Sequence, residues 1–127
     1  KGDTYISLEG SNVLTRNADP DIFVSVHRNS ATSSSAKGYE NFYFYPFSMP
    51  LAKNVFDSVG ATGHLTMRSV KYYPYYVTRV TECPSILTEN GFVSTASEYE
   101  KLITDASNET LAQATVEGIV KYFNSIQ

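Results

Sequence analysis

Two apolar runs of strand length, each ending in a side chain able to bind a metal or move a proton, constrain this chain more than any other feature. The first is Asp21-Ile-Phe-Val-Ser-Val-His27-Arg-Asn29, and the second is Pro84-Ser-Ile-Leu-Thr-Glu89-Asn-Gly91-Phe92. Short apolar runs of this kind read as buried strands. Open α/β sheets build their sites at the carboxyl ends of such strands. The two runs therefore predict an imidazole and a carboxylate at one rim of a sheet. One of each is too few to hold a catalytic metal, which takes three protein donors and leaves one position open.

The 127 residues suffice for one domain with a real core. A hydrophobic share of 42% and a charged share of 18% match a globular protein. With a net charge of -3 and scattered Lys and Arg, nothing points to nucleic acid or to an anionic membrane surface. No apolar segment is long enough to span a bilayer. The 10 Tyr and 7 Phe bunch in Phe42-Tyr-Phe-Tyr45 and Tyr72-Tyr-Pro-Tyr-Tyr76, which suits strand packing or a groove for a sugar or peptide. Cys83 stands alone, so an intrachain disulfide and a cysteine metal cluster are excluded. Without an activating neighbour it reads as a structural thiol.

Along the chain, Ser7 caps a mainly helical stretch to Ala18, which Asp19-Pro20 closes. Asp21 to Val26 is a buried strand, Asn29 to Lys37 a polar loop, and Gly38 to Tyr45 a second strand. A helix from Ser48 to Ser58 carries Leu51, Val55 and Val59 on one face and ends at Gly60-Ala-Thr-Gly63. Tyr76 to Arg79 reads as a short strand and Ser85 to Thr88 as a buried one. A short helix covers Ala96 to Ile103. Ser107 or Asn108 then caps a last helix to Phe123, with Leu111, Ala112, Val116, Ile119, Val120 and Phe123 as its apolar stripe. This alternation predicts an α/β domain with its sheet covered on both faces.

His27 ends a strand, where a rigid imidazole serves as a zinc ligand or as a satisfied structural group. Glu89 stands between an apolar strand and Asn90-Gly91. A carboxylate there either relays a proton or caps a turn. His64 follows Gly63 and reads as a surface residue. Glu40, between Tyr39 and Asn41, reads as a solvent-facing strand position, with support of a nearby site as the other reading. Asp3, Glu9, Asp19 and Asp21 lie near helix ends and receive no chemistry. No phosphate-binding glycine loop and no serine-elbow motif is present.

At the two strands a resemblance enters. Phe23-Val-Ser-Val-His27-Arg-Asn29 resembles the F-V-S-I-H-x-N motif of zinc-dependent N-acetylmuramoyl-L-alanine amidases, the AmiC-like cell-wall hydrolases. Pro84-Ser-Ile-Leu-Thr-Glu89-Asn-Gly91-Phe92-Val-Ser94 is similar to their P-x-(V/I)-L-x-E-x-G-F-(L/V)-S motif. Gly38-Tyr-Glu-Asn-Phe-Tyr43, Tyr76-Val-Thr-Arg79, Ala96-Ser-Glu98-Tyr-Glu-Lys-Leu102 and Thr4-Tyr-Ile-Ser-Leu8 also fit, so the resemblance spans nearly the whole chain. One departure is Ser11, where the family usually has an arginine.

The resemblance implies a mixed sheet with helices on both faces, as one domain of the amidase sandwich type. It implies a hydrolase that cleaves the amide between N-acetylmuramic acid and the L-alanine of the stem peptide. His27 matches the last of three zinc ligands and Glu89 the catalytic glutamate. The other two ligands belong to a segment ahead of residue 1, so residues 1–127 are expected to be the C-terminal part of a zinc amidase catalytic domain. Such a shortened domain would expose a strand edge and apolar surface. The implied partner is peptidoglycan or a muramyl-peptide, with no nucleic acid and no membrane, and the implied form is a secreted monomer at the cell wall or periplasm. An inert peptidoglycan-binding or regulatory module, and a zinc hydrolase for another amide, stand as the alternatives.

Overall fold

Ser7 opens the first helix as its sequence position demands. Its hydroxyl accepts a hydrogen bond from the Gly10 amide at 3.0 Å, so α1 (Leu8–Ala18) starts with one free amide satisfied. Asp19, at φ 46, turns the chain out of the helix and Pro20 prevents its return. The computed structural model describes residues 4–80 and 82–127. After α1 come β1 (Phe23–Asn29), β2 (Tyr39–Tyr43), α2 (Met49–Ala61), β3 (Met67–Tyr72), β4 (Ser85–Phe92), α3 (Ala96–Leu102) and α4 (Asp105–Ser125). Two 3-10 turns, Pro46–Ser48 and Tyr76–Arg79, complete the set.

The strands form one mixed sheet in the order β1-β4-β2-β3. β1 runs parallel to β4, β2 parallel to β3, and β2 antiparallel to β4. β4 occupies an inner place and is buried along its whole length, which explains its apolar run.

Helices α2 and α4 cover one face. Leu51, Ala52 and Val55 of α2 pack with Ile86 of β4 and Tyr122 of α4. Burial of each large apolar side chain contributes about 1.5–3 kcal/mol. Gly118 lets the helix backbones meet, since a Cβ there would lie 2.5 Å from the Val55 Cα. On the other face Val77 of the second 3-10 turn packs on Phe42 and Leu87. Helix α1 rests on that turn, with Asn12 donating to the Tyr76 carbonyl at 3.4 Å.

Four features differ from the sequence expectation. Tyr76–Arg79 is a 3-10 turn, not a strand. The Thr78 hydroxyl donates to the Tyr73 and Tyr75 carbonyls at 3.0 Å each, and this local bonding competes with a ladder. β3, unforeseen in the sequence, is a half-exposed edge strand whose Arg68 and Lys71 break the apolar alternation. Thr104, not Ser107 or Asn108, caps α4 by accepting from the Ser107 amide at 3.2 Å. In α4, Ala112, Val116 and Val120 are exposed, while small Ala114 and Gly118 join Leu111 and Tyr122 at the buried contact.

β1 is the outer strand on its side of the sheet, and Val26 on it is 67% exposed.

Candidate active site

Register brings the two sequence-selected residues together. His27 on β1 pairs with Glu89 on β4, and Glu89 pairs on its other side with Glu40 on β2. Side chains directly paired across strands share a face. Those of His27, Glu89 and Glu40 therefore form a row across three strands, on the face away from α2 and α4. Beyond Glu89, β4 bulges: β1 pairs His27 with Glu89 but Asn29 with Phe92. Gly91, at φ 84, makes that bend, in a place where a Cβ would lie 2.7 Å from Leu102. The Glu98 carboxylate fixes the same turn by accepting from the amides of Phe92 at 2.7 Å and Gly38 at 2.8 Å.

The three residues of the row have different surroundings. His27 is exposed, with its Nε2 3.0 Å from the Ser25 Oγ. Glu89 is only 8% exposed, and its Oε2 has no hydrogen-bond partner among the described residues. Burial, and next the nearby Glu40 carboxylate, push the Glu89 carboxyl up to about 7. A buried carboxyl with an unsatisfied oxygen and this proton affinity is suited to exchange protons near neutral pH.

Glu40 corrects the sequence expectation, for it is buried at 4% exposure rather than facing solvent. Its Oε2 accepts from Arg68 Nε at 3.1 Å and from Lys71 Nζ at 2.9 Å, and its Oε1 accepts from Asn29 Nδ2 at 3.1 Å. Sequence reasoning missed this cluster. Residues three apart on a regular strand face opposite ways. Here β3 spends one extra residue between Met67, which pairs with Tyr39, and Val70, which pairs with Asn41. That irregularity puts both cations beside Glu40, and only their shared sign hinted at it.

His64, expected on the surface, is half-buried instead, with its Nε2 2.6 Å from the Ser107 Oγ. It lies outside the row. Cys83 is buried, and burial raises its thiol, in keeping with a structural role. A cavity of about 480 Å³ between β1 and α4 is lined by Val26, His27, Arg28 and Val116, among others, and does not include Glu89. Among the described residues no three His, Cys, Asp or Glu side chains converge as a metal site. No described helix is long and apolar enough to cross a membrane.

Comparison with known proteins finds relatives in both sequence and fold. The sequence model of the N-acetylmuramoyl-L-alanine amidase family matches residues 1–121. The catalytic domain of the amidase CwlV from Bacillus (Paenibacillus) polymyxa superposes with a TM-score of 0.91 at 30% identity, over 96% of this chain and 68% of that one. An N-acetylmuramoyl-L-alanine amidase from Clostridium difficile 630 gives a TM-score of 0.92 at 32% identity, over 97% and 68%. Among curated relatives, the amidase LytC of Bacillus subtilis is 32% identical over 95% of this chain, which spans 25% of LytC. The probable cell wall amidase LytH of Staphylococcus epidermidis is 29% identical over 97% of this chain and 40% of its own length. The chain thus spans well under half of these curated relatives.

Proposed function

The chain belongs to the N-acetylmuramoyl-L-alanine amidase family, and from that membership we propose that it is the C-terminal part of a peptidoglycan hydrolase domain. The bond cleaved is the amide between N-acetylmuramic acid and the L-alanine of the stem peptide. Supporting this is one observation above others: Glu89, buried with a free oxygen and a carboxyl near 7, stands in register with exposed His27.

Glu89 is assigned the proton traffic. It accepts a proton from the attacking water and returns it to the nitrogen of the leaving alanine, so the carboxylate is regenerated as the C–N bond breaks. A group whose proton affinity lies near neutral pH serves both halves of that exchange. Burial keeps bulk water from competing for its free oxygen.

Zinc belongs to this reading, with His27 as the donor this chain offers. The described residues do not by themselves fit a zinc centre, because one imidazole falls short of the three donors such a site takes. The remaining donors would have to come from outside these residues, and the chemistry argued for this chain stays with Glu89. In the cell the reading places the protein where peptidoglycan is, at the wall or periplasm.

The test is digestion of purified peptidoglycan by the full-length protein, with the new chain ends identified. Release of peptides with a free N-terminal L-alanine is expected. New reducing sugar ends, or free amino groups on other stem residues, would refute the assignment, and binding without any new ends would make the protein an inert wall-binding module.

A further inference from the structure

We propose that Arg68 and Lys71 form a carboxylate-binding subsite beside Glu89, one that takes an acidic stem peptide. This rests on the amidase reading above. The observations are geometric. Both cations bond the same oxygen of Glu40, Arg68 at 3.1 Å and Lys71 at 2.9 Å. Glu40 is the cross-strand partner of Glu89, so the cationic heads lie over β2, the strand next to β4. Two positive charges thus share the single carboxylate of Glu40, in a chain of net charge -3.

The pair is also held in place and still open. Arg68 lies over the Phe92 ring at 5.1 Å from its centroid, and its Nη1 donates to the Lys37 carbonyl at 3.2 Å. Lys71 lies over the Phe42 ring at 5.9 Å. Their side chains remain 37% and 46% exposed on the face that carries His27 and Glu89. Anchored cations with donors to spare suit a carboxylate, since little side-chain freedom remains to be lost on binding. Neighbouring strands lie about 4.8 Å apart and an extended peptide advances about 3.3–3.6 Å per residue. A peptide whose first residue is cut at Glu89 therefore brings its second or third residue to these cations.

The experiment compares two muramyl-tripeptides on the full-length protein, one with free carboxylates on the second and third residues and one with both amidated. The acid form should show a KM about tenfold lower than the amide, the worth of one charge-assisted bond, and the ratio should shrink as salt rises. Lys71→Met should reduce the ratio, and Lys71→Arg should keep it. Equal KM values for the two forms, or a ratio untouched by Lys71→Met and by Arg68→Gln, would overturn the subsite. If neither form is cut, the amidase reading fails. Dissociation constants for the same two compounds then decide the subsite alone: tighter binding of the acid supports it, and equal binding refutes it.

Discussion

Glu40 and Glu89 face each other directly across the β2–β4 pair, yet only Glu40 is bonded by cations. Adjacent carboxylates repel when both are charged. Arg68, Lys71 and Asn29 all serve Glu40, while burial, and next the Glu40 charge, push the Glu89 carboxyl up to about 7. The arrangement turns two like residues into an anchor and a proton carrier.

Removing that carrier should be specific. In the full-length protein Glu89→Gln is expected to lower kcat about a hundredfold or more, the usual worth of a positioned general base. Far-ultraviolet circular dichroism should be unchanged, because the amide keeps the shape of the buried side chain. Full turnover by the variant would remove Glu89 from the mechanism.

The same carboxyl should make stability depend on pH. Its folded value of about 7 exceeds the ordinary 4.5, so between these values the folded state holds more protons than the unfolded one. Stability is then complete below about 4.5 and is lost as pH rises through about 7. In chelator-treated protein, urea unfolding should show a loss of up to about 3 kcal/mol from this group between those limits, and Glu89→Gln should abolish it. An identical pH profile for both proteins would contradict the burial argument.

Glu40→Ala removes the partner of two half-exposed cations and opens a space beside Glu89. A cost of about 1–3 kcal/mol in urea unfolding is expected, since charges are left unpaired next to buried surface. Glu40→Gln should cost less, because the amide oxygen still accepts hydrogen bonds. A neutral effect of Glu40→Ala would mean that the cations find water as readily as they find Glu40.

The His27 side chain is exposed and its ring bonds only Ser25 among the described residues, so His27→Ala should leave the thermal midpoint almost unchanged. If it is a zinc ligand, bound metal and turnover should fall together in the full-length protein. Metal content by atomic absorption checks this, and undiminished zinc would exclude it as a ligand.

Gly118→Ala sets two known effects against each other. Alanine in place of glycine favours a helix by about 1 kcal/mol. The added Cβ, however, would lie 2.5 Å from the Val55 Cα and 2.9 Å from the Asn54 carbonyl oxygen, both backbone atoms. Overpacking costs about 1–3 kcal/mol, so a lower melting temperature is expected. A rise would show that α4 can shift off α2 freely.

The local chemistry of the chain was legible without its fold. Ser7 and Asp19-Pro20 marked the ends of α1, and apolar runs marked β1 and β4, of which β4 is buried along its length while β1, expected to be buried, is a half-exposed edge strand. His27 and Glu89 were visible as the polar residues that close those runs, although both strands continue past them, to Asn29 and Phe92. Tertiary structure decided how these pieces pair. Parallel register placed His27 beside Glu89, and antiparallel register placed Glu40 on its other side. An extra residue in β3 turned Arg68 and Lys71 to one face, against the alternation of a regular strand. Pairing across strands depends on partners far away in sequence, and a one-residue shift reverses which face a side chain takes. For that reason the residues of this site could be nominated from the chain alone, while their electrostatics could not.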